Sequence, residues 1–87
     1  MILTIYTQPG CTSCEQAKNL MKSKGIQYQE ITLNVGQPQV EGKTYIPVQS
    51  FKEKFPNART VPQITEGNTH IGDYNDLVKF LRFDKAK

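Results

Sequence analysis

The sequence predicts an α/β fold in the order strand–helix–strand, helix, strand–strand–helix (βαβ-α-ββα). This is a four-stranded mixed sheet with helices on both faces. Three observations lead there. Short runs rich in β-branched and aromatic residues, beginning with Ile2-Leu3-Thr4-Ile5-Tyr6, read as strands. Apolar residues recur at helical spacing in three other segments. The joints around the first helix are short, which requires a right-handed crossover between two parallel strands. The chain has 87 residues. That length makes one domain, 1–87, with a thin core and room for one site near the surface.

Residues 2–7 form the first strand, and Gln8-Pro9-Gly10 breaks it. A helix follows over about residues 12–24, where Thr12 and Glu15 stand at capping-box spacing. Cys14, Ala17, Leu20 and Met21 share one face of it. Gly25 stops this helix, with Lys22 and Lys24 in the last turn where positive charge is favourable. Residues 26–33 give the second strand. Residues 34–46 have no clear period, and Gly36, Pro38 and Gly42 argue for a loop. Pro47 suits the first position of a helix over 47–55, with Val48, Phe51 and Phe55 on one side and Pro56 ending it. Residues 62–66 and 68–71 read as an antiparallel hairpin turning at Glu66-Gly67-Asn68. The last helix starts near Asp73, an N-cap candidate, and buries Tyr74, Leu77, Val78 and Leu81. Lys85, Ala86 and Lys87 are expected to fray. Phe51, Phe55, Phe80 and Phe83 are assigned to the core, and His70 to a satisfied or solvated position rather than a catalytic one.

Composition narrows the function classes. The net charge is +3, but the lysines are spread among acidic and apolar neighbours, so nucleic acid is not an expected partner. No apolar stretch is long enough to cross a bilayer, and no basic segment precedes an apolar one as in a secretory signal. Two cysteines do not staple a secreted scaffold; in a reducing, cytoplasmic setting they indicate redox or metal chemistry.

Those cysteines, Cys11 and Cys14, sit at the mouth of the first helix. Thiol–disulfide exchange needs an exposed thiolate, a second thiol within reach and a surface that aligns the substrate. Cys11 precedes the helix body, where unpaired N–H groups and the helix dipole favour negative charge. Cys14 lies one turn on, facing Ala17, Leu20 and Met21, and should be the more buried thiol. Cys11 is therefore the attacking residue and Cys14 the resolving one. A thiolate stabilised this way gains only about threefold in attack rate, because nucleophilicity falls with basicity; the larger benefit is that it leaves readily from a mixed disulfide. A structural zinc site would need four ligands, and His70 is the sole other soft one in the chain.

Three blocks then carry a family resemblance: Gln8-Pro9-Gly10-Cys11-Thr12-Ser13-Cys14, Arg59-Thr60-Val61-Pro62-Gln63-Ile64, and His70-Ile71-Gly72-Asp73-Tyr74-Asn75-Asp76-Leu77. In order and spacing they resemble the dithiol glutaredoxins from Ile2 to about Leu81, with a poorer match over 34–57. The resemblance implies a thioredoxin-like fold with sheet order 2-1-3-4 and a cis peptide at Val61-Pro62. It implies glutathione as cosubstrate with no bound cofactor. Tyr6 and Gln8 would flank the glutathione, Thr60, Val61 and Pro62 would form its backbone platform, and Asn75 and Asp76 would meet its γ-glutamyl end. The family usually has Lys at the position of Gln8, Asp at that of Asn75 and Gly at that of Asp73. Arg59 is a candidate for the missing positive charge.

The expected function is a cytoplasmic, monomeric thiol–disulfide oxidoreductase acting on protein disulfides or glutathione mixed disulfides. By resemblance, ribonucleotide reductase is a candidate client. One alternative keeps the chemistry and draws electrons from thioredoxin reductase. Another, from a different class, is a dimeric module holding an iron–sulfur cluster through Cys11 and added glutathione, against which Cys14 argues.

Overall fold

The computed structural model describes residues 2–58 and 60–84, with the side chains of the last two left aside. Eight elements follow in order: β1 (Ile2–Thr7), α1 (Thr12–Ser23), β2 (Gln27–Asn34), β3 (Thr44–Pro47), α2 (Val48–Lys54), β4 (Gln63–Glu66), β5 (Thr69–Gly72) and α3 (Tyr74–Asp84). The sheet runs β3-β2-β1-β4-β5. β2 lies parallel to β1, β4 antiparallel to β1, and β5 antiparallel to β4.

The expected four strands and their order are present. A fifth is added outside them: residues 44–47, assigned above to a loop and a helix start, pair in parallel with Ile31–Asn34. Pro47 consequently ends a strand and stands at the N-cap of α2 instead of its first turn. A proline lacks the ladder N–H, so it is tolerated at the end of an edge strand. Expectations for Arg59 and for residues 85–87 fall outside the described residues, and that for Phe83 outside the described side chains.

Strand alternation splits the apolar residues between two layers. Leu3 and Ile5 of β1 and Ile64 of β4 face α1 and α3, where Ala17, Met21, Leu77 and Leu81 complete a fully buried cluster. Tyr6 and Leu33 face the other way, onto Phe51 and Phe55 beside α2. The Tyr6 ring meets Phe55 edge-on at 5.1 Å between centroids.

The ends of α1 fix how the redox segment leaves the sheet. At its C-terminus Gly25 adopts φ +70° and Ile26 N–H reaches Met21 C=O at 2.9 Å, closing a Schellman motif that returns the chain to β2. At its N-terminus the cap is Cys11, one residue before the expected Thr12. Glu15 does not reach back to the cap; its carboxylate pairs with Lys18 at 2.8 Å.

Candidate active site

β1 ends beside the Pro9-Gly10 turn, which delivers Cys11 in an extended conformation to the start of α1. There its Sγ accepts the Cys14 backbone N–H at 3.1 Å. A sulfur thus occupies the place of the usual capping oxygen, at the end of the helix where unpaired N–H donors and the dipole favour negative charge. Cys11 and Cys14 form a disulfide with Cα atoms 5.2 Å apart. Their exposures differ as expected: Cys14 is 1% exposed, on the α1 face that carries Ala17 and Met21, whereas Cys11 is half-buried.

The Val61–Pro62 peptide is cis. The Val61 carbonyl oxygen lies 3.7 Å from Cys11 Sγ. A groove of about 420 Å³ opens beside it, lined by Thr60, Val61, Pro62 and Asn75 together with Ser13 and Gln16. Ser13 and Gln16 were not singled out in the sequence. Their signal was available, since they stand three apart on the polar side of the helix that carries the cysteines.

The remaining candidates lie elsewhere. Gln8 is exposed on the turn and borders a separate pocket with Lys52, Thr60 and Val61. The Tyr6 ring belongs to the second core cluster and is 6% exposed, and burial pushes its hydroxyl pKa up. The Asp76 carboxylate accepts the Asp73 N–H at 3.2 Å while the Asp73 carboxylate accepts the Asp76 N–H at 3.0 Å, a reciprocal cap on α3. Gly72, at φ +127°, makes this possible, because a side chain there would overlap the Asp76 carboxylate. Asp76 lines a different cavity, with Gln63 and His70.

On the back of α1, Lys18 bridges Glu15 at 2.8 Å and Glu30 at 3.3 Å, and Thr7 donates to Glu30 at 2.6 Å. Burial alone would lower the Lys18 pKa, but its hydrogen bonds to Glu15 and Glu30 and their charges raise it. The hydrogen bond from Lys18, then its charge, lowers that of Glu15.

A part-buried sulfur capping a helix, a buried partner one turn on and the Val61 carbonyl against it define a thiol–disulfide oxidoreductase site on a thioredoxin-like fold. The glutaredoxin family model matches residues 3–71. A glutaredoxin of Pseudomonas aeruginosa is 35% identical, covering 95% of this chain and 88% of its own. Reduced glutaredoxin of Escherichia coli superposes with TM-score 0.72 at 27% identity over 100% of both chains. The hybrid peroxiredoxin hyPrx5 of Haemophilus influenzae is 35% identical over 91% of this chain, which spans 29% of that longer protein. This chain belongs to the glutaredoxin family.

Proposed function

We propose that this protein reduces protein disulfides and mixed disulfides with glutathione, and is itself recharged by glutathione. The Cys11 thiolate attacks one sulfur of the substrate disulfide. A mixed disulfide forms, and the other substrate sulfur leaves as a thiolate and takes up a proton. Cys14 gives up its proton and attacks Cys11 Sγ, which closes the Cys11–Cys14 disulfide and releases the second substrate thiol. Two glutathione thiols then restore the dithiol and leave as oxidised glutathione.

One observation carries the reading: a half-buried Cys11 before a Cys14 that is 1% exposed, its sulfur 3.7 Å from the Val61 carbonyl of a segment that borders an open groove. An extended thiol peptide laid there would meet the Val61 backbone as an added strand meets a sheet edge. The half-reaction that needs Cys14 takes place inside the protein, and the one that needs substrate takes place at the surface. By the same reading the protein is a cytoplasmic monomer with ribonucleotide reductase among its clients.

The neutral side chains of Gln8 and Asn75 favour a second reading, in which thioredoxin reductase supplies the electrons. Each residue still offers hydrogen bonds but no charge for a glutathione carboxylate or amine. A coupled NADPH assay with either glutathione and glutathione reductase or thioredoxin reductase separates the two. The first reading expects sustained turnover with glutathione. Rapid turnover with thioredoxin reductase and none with glutathione would overturn it.

A further inference from the structure

Gln63 opens β4 directly after Pro62 and is 5% exposed. A buried amide is costly unless both its ends are paired. Here both are: Nε2 donates to the Thr60 carbonyl at 2.9 Å, and Oε1 lies 2.7 Å from His70 Nε2. The direction of the chain is fixed by chemistry. A backbone carbonyl only accepts, so the amide nitrogen must face Thr60 and the amide oxygen must face His70. His70 Nε2 must then carry the hydrogen, a condition met by the Nε2–H tautomer and by the imidazolium alike.

His70 is exposed on β5, yet its ring has a second partner. It packs on Phe55 with centroids 4.7 Å apart, and His70 pairs with Thr65 in the β4–β5 ladder on the same sheet face as Gln63. At the other end, Thr60 leads into Val61, whose carbonyl stands 3.7 Å from Cys11 Sγ. The chain of contacts therefore runs from Phe55, anchored in the core, to the backbone segment beside the reactive sulfur.

We propose that Gln63 and His70 are positioning residues: the His70–Gln63–Thr60 relay fixes the Thr60–Val61 backbone in the geometry that receives substrate. This rests on the reading that substrate docks along Thr60–Val61. Neither side chain touches the reacting sulfurs, so the relay acts on docking and leaves the reactivity of Cys11 toward small molecules unchanged.

The test uses single-turnover reaction of the reduced protein with a synthetic peptide–glutathione mixed disulfide, read as half-saturating concentration and maximal rate. Alkylation of Cys11 by iodoacetamide is the control, because that reagent needs no docking. Gln63→Glu keeps the acceptor for His70 but cannot donate to Thr60. His70→Phe keeps an aromatic ring against Phe55 but removes the donor. His70→Gln restores an N–H near the Nε2 position. The first two should raise the half-saturating concentration on the order of fivefold, with the maximal rate and alkylation nearly unchanged, and His70→Gln should recover most of the loss. Unchanged half-saturation in His70→Phe, or parallel losses in peptide reaction and alkylation, would overturn the relay. Failure of the wild-type protein to react with the peptide at all would instead overturn the docking reading beneath it.

Discussion

At the scale of single residues, Cys11 caps the helix and, in the proposed function, is also the nucleophile. An N-cap side chain accepts a helix N–H, and here the acceptor is a sulfur at 3.1 Å from the Cys14 nitrogen. In the proposed function the same donor would stabilise the Cys11 thiolate of the reduced protein. Cys14 has no such exposure, so the two cysteines are not interchangeable. Cys11→Ser should abolish all exchange. Cys14→Ser should stop reduction of protein disulfides but spare release of glutathione from a mixed disulfide, which needs one protein thiol only; full activity of Cys14→Ser in both assays would remove Cys14 from the mechanism. The asymmetry was legible in the sequence, because Cys14 shares a helical face with Ala17 and Met21 and Cys11 does not. The identity of the cap was not. Thr12 and Glu15 have capping-box spacing, but the capping place falls to the residue in extended backbone, which is Cys11 at φ −96° and ψ 106°.

At the scale of elements, helices were easier to read than edges. The stripes of α1 and α3 repeat over several turns, and each repeat confirms the last. β3 has four residues, ends in proline and is paired through a ladder to β2, so nothing local distinguishes Thr44-Tyr45-Ile46 from a loop. Similarly, Asp76 could be matched to a ligand position by motif, while its use in the cap on α3 depends on the glycine before Asp73 letting the two carboxylates cross. That cap has a measurable value. Asp73→Ala should lower the free energy of unfolding by roughly 0.5–2 kcal/mol in urea titration. An unchanged midpoint would show that α3 is held by Leu77 and Leu81 alone. The Gln63–His70 contact was beyond the sequence for a related reason: it joins neighbouring strands across a register shift near Ile64 and Thr65, and no period marks such a pair.

At the scale of the whole molecule, stability should respond to pH asymmetrically. Burial raises the Tyr6 pKa; Lys18, despite burial, is raised by Glu15 and Glu30. A folded-state pKa above the unfolded one contributes stability that is fully present below the unfolded value and lost as pH climbs through the folded one. Both groups ordinarily titrate near about pH 10, so the melting temperature should fall above that point. Glu15, held low by Lys18, works in the opposite sense, its contribution being lost as pH falls through its folded value. Glu15 is exposed, so that loss is small. Tyr6→Phe should lose less melting temperature than wild type between about pH 9 and pH 11. Equal alkaline slopes would place the Tyr6 hydroxyl in solvent.

In the proposed function the same whole-molecule arrangement sets the order of events, with substrate meeting Cys11 at the surface and Cys14 closing the cycle from within. The most direct measurement is the pH dependence of iodoacetamide alkylation of the fully reduced protein, with the modified cysteine mapped by mass spectrometry. Cys11 should react first and alone, with its rate rising at a pH below that of a free cysteine. Preferential labelling of Cys14, or a Cys11 that reacts only where an ordinary thiol would, would contradict the account.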